Sequence, residues 1–289
     1  MMCNAKSGIG VNFCSKLERN NMLDNENLVV CDSVMKNLIT CKKAGLSMLV
    51  TGNVSTEIKL DLLKKLIVSD KDKKTVYIKK ELKIASKNLT ETALNVKPKY
   101  ITIGEINEVK NVEDIKIVPK RQSVIPVISA YYGNGRIADS NEMKKATNTA
   151  LKLKPNTVFY PEIYSEDILD IIFILTTGHQ LLTSIAASNE MTALYRIATC
   201  CLDKKGNFSI QALNSSFDLI INIGKYHLDE QNPYKIFSIS IPAIEGEKIK
   251  VKRIVEYDNI EGIYVLKNDV PELKEKVLRR TGLELGSWI

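Results

Sequence analysis

The sequence predicts an α/β domain: a mixed, mostly parallel sheet flanked by helices, with an antiparallel β-hairpin extension near the C-terminus. Three observations carry that expectation. Short apolar runs at Leu46–Thr51, Thr157–Tyr160 and Leu181–Ala187 read as buried strands. Each precedes a stretch with apolar residues at helical spacing, such as Ile168, Ile171, Ile172 and Leu175. After these, the period changes to two over Phe217–Ile223, Tyr234–Ile241, Lys248–Tyr257 and Gly262–Leu266, with turns between.

In chain order, residues 1–28 are polar and Asn-rich, with one apolar piece at Val11–Phe13, and read as an arm or linker. The domain proper is expected over 29–289. Asp32 is placed to cap a helix over Ser33–Ala44, with Val34, Leu38 and Cys41 on one face and Gly45 as its stop. The strand Leu46–Thr51 follows, then the turn Gly52-Asn53-Val54-Ser55-Thr56, then a helix over Glu57–Val68. Thr75–Ile78 is a further strand. Glu190–Cys201 is a helix after the Leu181–Ala187 strand. The last helix, Pro271–Arg280, has Asp269 as its expected cap and Gly282 as its stop.

Composition narrows the function classes. Hydrophobic content of 44% and charge of 26% are ordinary for a globular chain of 289 residues. No apolar run reaches the roughly 18 residues that span a bilayer. The N-terminal MMCNAKSGIG lacks an apolar signal core. The expected place is the cytoplasm, with the inner face of the cell membrane as the site of any peripheral attachment. The six cysteines fit reduced thiols and show no metal-ligand spacing, and two histidines are too few for a His-based zinc site, so no metal centre is expected. The net charge of +7 is dispersed as lysine, without a dense basic run or aromatic interleaving, which argues against a nucleic-acid partner.

The strand, glycine turn and helix at 46–68 match the setting of a phosphate-binding loop, whose working pattern is G-x-x-x-x-G-K-[ST]. Counted from Gly52, the second glycine is Glu57, the lysine is Ile58 and the hydroxyl residue is Lys59. A one-residue deletion would restore Lys59 as a phosphate ligand; otherwise it is a solvated first-turn lysine. Ser55 and Thr56 read as helix caps. With Gly52 and Lys59 they make up the candidate, degenerate nucleotide loop.

The middle of the chain holds an internal repeat. Lys87–Ile106 realigns with Lys144–Ile163 through Thr90/Thr147, Thr92/Thr149, Ala93/Ala150, Leu94/Leu151, Lys97/Lys154, Pro98/Pro155, Glu105/Glu162 and Ile106/Ile163. Residues 86–139 are therefore expected as a duplicated insert resembling 143–195. Glu105 and Glu162 each end a predicted strand, where a carboxylate can polarise water beside a metal. His179, in Thr177-Gly178-His179, is placed to sense a γ-phosphate or to serve as a structural strand-turn histidine.

With these motifs in this order, the stretch from Val30 to about Asp258 resembles the motor domain of the type II/type IV secretion ATPases, the pilus-assembly and conjugation motors, and most nearly the tight-adherence (Flp-type) branch. Ala150-Leu151-Lys152-Leu153-Lys154-Pro155 is similar to the family's A-L-R-x-R-P segment with both arginines turned to lysine. Tyr160-Pro161-Glu162 stands where the family has V-G-E, and Thr177-Gly178-His179 keeps its T-G-H. The resemblance implies a RecA-like P-loop NTPase core. It also implies losses: Lys79 and Lys80 for acidic residues, Ala186 for a second histidine, and no arginine at Ile163-Tyr164. The family's N-terminal nucleotide-covering domain is expected to be missing.

Those losses point to a pseudo-ATPase, a non-hydrolysing structural or regulatory subunit, with Glu162, Glu105 and His179 as vestigial catalytic positions. No cofactor is expected, and ATP with Mg²⁺ only if the degenerate loop still binds. The implied partners are a cognate motor or further copies of this chain, as a ring or dimer, and the cytoplasmic face of a membrane platform protein. The alternative is a weak or shared-site ATPase that powers the same machine.

Overall fold

A computed structural model describes residues 28–69, 74–84, 96–106, 123–126, 131–132, 136–137, 141–201, 217–227, 229, 233–245 and 248–289. The fold is the mixed α/β sheet that the sequence predicts. The strands of its main sheet lie in the order β12-β11-β10-β9-β1-β8-β7-β2-β3-β4, and β5 (Tyr131–Tyr132) pairs with β6 (Arg136–Ile137) apart from it. The centre is parallel: β1 (Met48–Thr51) lies between β8 (Gln180–Ile185) and β9 (Leu219–Lys225), while β7 (Thr157–Ile163) lies between β8 and β2 (Thr75–Ile84). Both flanks are antiparallel. On one side β10 (Tyr234–Glu245), β11 (Lys248–Asp258) and β12 (Ile263–Leu266) add in sequence, and on the other β3 (Val96–Ile106) and β4 (Ser123–Pro126) do.

Alternation along each strand loads two cores, one per face. Met48 and Val50 face one cluster, and Leu49 between them faces the other. The first cluster takes Val34 and Leu38 from α1 (Asp32–Lys43), Leu62 and Leu66 from α2 (Thr56–Val68), and Leu273 and Val277 from α6 (Pro271–Thr281). The second takes Ala150 from α3 (Asn141–Lys152), Ile171 and Ile174 from α4 (Ile168–Thr176), and Leu194 and Ile197 from α5 (Glu190–Cys200).

Several boundaries differ from expectation for local reasons. Asp32 is the first helical residue of α1 rather than its cap; Cys31 holds the cap position and makes no capping hydrogen bond. Asp269 likewise gives way to Val270 at the start of α6, because Pro271 at the first helical position fixes the entry. Gly45 and Gly282 end their helices at φ +74 and +69, as left-handed stops do. The strand expected over Thr75–Ile78 runs on to Ile84, because the Lys-rich continuation pairs with β3 despite lacking apolar alternation. The aligned segments of the internal repeat take opposite directions: β7 runs parallel to β2, and β3 runs antiparallel to it. Residues 1–27 and 85–95, which carry the arm and the start of the first repeat copy, lie outside the described residues.

Candidate functional site

The centre of the parallel sheet has its strand C-termini at one edge, and the chain passes from β1 into α2 there. Gly52 makes that passage at φ +131. A Cβ on it would lie 1.8 Å from the Ile223 carbonyl oxygen of β9, so only glycine fits. Its N–H donates to Ala187 O at 3.0 Å, and the Thr51 hydroxyl donates to the same carbonyl at 3.1 Å. Three residues, Asn53, Val54 and Ser55, then lead to Thr56, the first residue of the helix. Ser55 holds the cap position, yet its side chain makes no capping bond.

Glu162 reaches this edge from β7. Pro161 before it has no N–H for the ladder, and the pairing with β8 shifts register between Tyr160 and Ile163. Such a bulge re-aims the side chain beside it. The Ser184 hydroxyl fixes the bulge by donating to Pro161 O at 2.7 Å. Glu162 then gathers three partners. Thr56 Oγ1 donates to Oε2 at 2.9 Å, Lys59 Nζ to Oε1 at 3.4 Å, and the Tyr164 hydroxyl to Oε2 at 3.4 Å.

Lys59 is the unexpected member. It is 1% exposed, so the solvated first-turn reading is corrected: the ammonium lies inside the protein, on Glu162 and on Ile185 O at 3.4 Å. Burial pulls its pKa below the ordinary lysine value, the Glu162 carboxylate pushes it back up, and the Arg196 charge on α5 lowers it again. Burial also raises the Tyr164 hydroxyl, with Glu162 adding to the rise. Arg196 donates to Ala186 O just past β8, at the position the resemblance assigns to a second histidine. Tyr164 and Arg196 were missed in the sequence. Tyr164 had a signal, since it lies two residues from Glu162 and shares its side of an extended strand.

Glu105 and His179 are elsewhere. Glu105 pairs with Val76, which pairs with Val158, so it lies at the N-terminal edge of the parallel strands. That is about 13 Å from Glu162 along the strand direction alone. His179 precedes β8 at the same far edge, where Nδ1 shares a 3.0 Å hydrogen bond with Thr177 Oγ1. Lys152 and Lys154, the latter at φ +50, also sit there, before β7. The structure thus brings together Gly52, Ser55, Thr56, Lys59 and Glu162, and leaves Glu105 and His179 apart.

Mg²⁺ with a nucleoside triphosphate does not fit these residues. A working loop has six residues between its first glycine and its hydroxyl, the last two being glycine and lysine; here there are three, ending Val54-Ser55. The Thr56 hydroxyl is hydrogen-bonded to the Glu162 carboxylate, and the buried Lys59 ammonium pairs with that carboxylate. Among the described residues no three His, Cys, Asp or Glu gather as a metal ligand set. No described helix is long and apolar enough to cross a membrane.

No family model matches the chain, and no curated protein matches it. Among solved structures it is similar to the VirB11 ATPase from the Brucella suis type IV secretion system, solved in complex with sulphate. The identity is 13% and the TM-score 0.42, over 74% of this chain. The chain spans only 58% of that protein's length. At this identity and superposition the likeness carries no statement about activity.

Proposed function

We propose that this chain is a non-hydrolysing relative of the secretion and pilus-assembly ATPases, acting as a structural or regulatory subunit of such a machine. The observation that carries the reading is the contact set of Glu162. Thr56 stands at the head of the helix after a glycine turn, and Glu162 stands at the end of a parallel strand one strand removed from β1. That is where a P-loop protein keeps its metal-binding hydroxyl and carboxylate. Here Lys59 supplies the positive charge from within the chain, and the loop that would wrap phosphates is shortened. On this alignment Val54 and Ser55 replace the glycine and lysine, a deletion rather than the string of substitutions counted from Gly52.

Order of motifs along the sequence supports the family assignment. The machine's true motor, further copies of this chain, or a cytoplasmic loop of its membrane platform are the partners such a subunit would meet. The site itself does no chemistry in this reading; Lys59, Thr56 and Tyr164 hold Glu162 in one arrangement.

The test is titration of a fluorescent ATP analogue with the purified chain, with and without Mg²⁺. The expected result is no saturable Mg²⁺-dependent signal at high micromolar protein. Saturable Mg²⁺-dependent binding would overturn the reading.

A further inference from the structure

The outermost row of the sheet covers only part of β11. β12 pairs with Val255–Asp258, and the chain then leaves across the next two residues of β11. Lys267 N donates to Ile254 O at 2.9 Å, and Asn268 Nδ2 donates to Arg253 O at 2.7 Å. Past that point, over Lys248–Lys252, β11 pairs with β10 alone among the described residues.

Antiparallel pairing decides which backbone groups face outward there. Pro242 of β10 stands opposite Val251 and has no N–H, so theirs is a non-hydrogen-bonded pair. Bonded and non-bonded pairs alternate. Lys248, Lys250 and Lys252 therefore turn their backbone groups toward β10, while Ile249, Val251 and Arg253 turn theirs away. The Asn268 contact on Arg253 O has the same phase. The outward groups of Ile249 and Val251 make no hydrogen bond among the described residues.

Side chains alternate along the same segment. Ile249 and Val251 join the apolar cluster of α3, α4 and α5. Lys248, Lys250 and Lys252 take the other side, the first two of them exposed, and Lys250 pairs with Glu245. Lysine on an open edge keeps identical chains apart, because a second copy brings like charge to the same row. The same three lysines complement a strand with carboxylates at alternate positions.

We propose that the outer side of β11 over Lys248–Lys252 is a docking edge for an extended acidic peptide of a partner protein, which adds to the sheet in line with β12. Main-chain bonds to Ile249 and Val251 supply the pairing, and lysine–carboxylate pairs supply the selection. None of these residues belongs to the Glu162 cluster, so the proposal stands apart from the nucleotide-site reading.

The test is fluorescence polarisation of a labelled Glu-Val-Glu-Val-Glu peptide titrated with the full-length chain at low salt. In either direction this peptide sets a glutamate opposite each lysine and a valine opposite Ile249 and Val251. The expected result is saturation with a Kd of about 100 µM that weakens as salt is raised. N-methylation of both valines removes the donors to Ile249 O and Val251 O and should weaken binding about tenfold. Val251→Pro deletes an outward N–H and no bond to β10, and should weaken it similarly. A Lys-Val-Lys-Val-Lys peptide should not bind. No saturation up to millimolar chain, or equal binding of the N-methyl peptide, overturns the docking edge. Equal binding of the lysine peptide overturns the acidic partner. A single-stranded oligonucleotide that displaces the peptide and binds Val251→Pro as well as wild type makes the lysines a nucleic-acid face, which also overturns it. Self-association of the wild type that Val251→Pro abolishes makes a second copy the occupant, with the same consequence. If Val251→Pro fails to fold by circular dichroism, the N-methyl peptide on the wild-type chain decides the pairing.

Discussion

Two of the helices that leave the C-terminal edge of the parallel strands, α2 and α5, begin in opposite ways. α5 follows β8 and starts as a helix should. Asn189 caps it, accepting from Thr192 N at 2.9 Å, and Glu190 puts a buried carboxylate at the positive end of the helix. That carboxylate also accepts from the Ser238 and Ser240 hydroxyls and faces Arg253 at 3.6 Å. α2 follows β1 and has no side-chain cap, and the charge buried in its first turn is a lysine, the wrong sign for that end. The start of α2 is uncapped and meets the Glu162 carboxylate from another strand; the start of α5 is capped and carries its own.

The strongest way to break this contrast is at the turn into α2. Gly52→Ala places a methyl group against the Ile223 carbonyl in a backbone conformation that L-residues avoid. It should cost more than about 3 kcal/mol in denaturant unfolding. A loss below about 1 kcal/mol would show that β9 can yield at that point.

Next are the two carboxylates. Glu162→Gln strands an ammonium that is 1% exposed and should cost about 2–3 kcal/mol, most of it recovered by Lys59→Met in the same chain. Glu190→Gln should cost only about 1 kcal/mol, because an amide oxygen still accepts from the serines and Arg253, 43% exposed, can turn to water. Equal losses from the two variants, or no recovery in the double variant, would remove the difference between the two helix starts.

The smallest effect is in pH. Burial lowers the Lys59 pKa in the folded protein below its unfolded value of 10.5. The unfolded chain then binds the extra proton between those two values, so stability from this group rises with pH across that window. Below the folded value the cost of the buried charge is fully present. The difference in melting temperature between wild type and Lys59→Met should therefore move in favour of wild type as pH climbs from neutral toward 10.5. A difference that stays flat would mean the ammonium is not buried.

Much of the fold was legible because it rests on periodicity. The strands at Met48–Thr51, Thr157–Ile163 and Gln180–Ile185 and the late antiparallel strands follow apolar runs or alternation. What failed was placement. Glu105 and Glu162 both end strands, but a motif does not carry strand direction, and β3 runs opposite to β7. His179 closes the tripeptide Thr177-Gly178-His179 and lies just before its strand, as the order of the sequence already has it, and so at the edge away from Glu162. Lys59 had a signal that its charge obscured. It lies on the stripe with Leu62, Leu63, Leu66 and Ile67, all buried, and helical phase puts it inside with them. Arg196 and Tyr164 join the site through tertiary folding, and only Tyr164 lies near a motif.

The place of β1 in the sheet has a consequence for synthesis. Its partners are Leu182–Ser184 on one side and Leu219–Asn222 on the other, more than a hundred residues downstream. A nascent chain emerging from the ribosome therefore carries an apolar strand with both edges unsatisfied until most of the protein has been made. Antiparallel β10, β11 and β12 pair with neighbours in sequence and close short loops. High contact order at the centre makes the pairing of β1 slow to form, and low contact order at the flank makes the pairing of β10, β11 and β12 quick once they are made. The vulnerable interval for aggregation is the one in which Met48–Thr51 waits for β9.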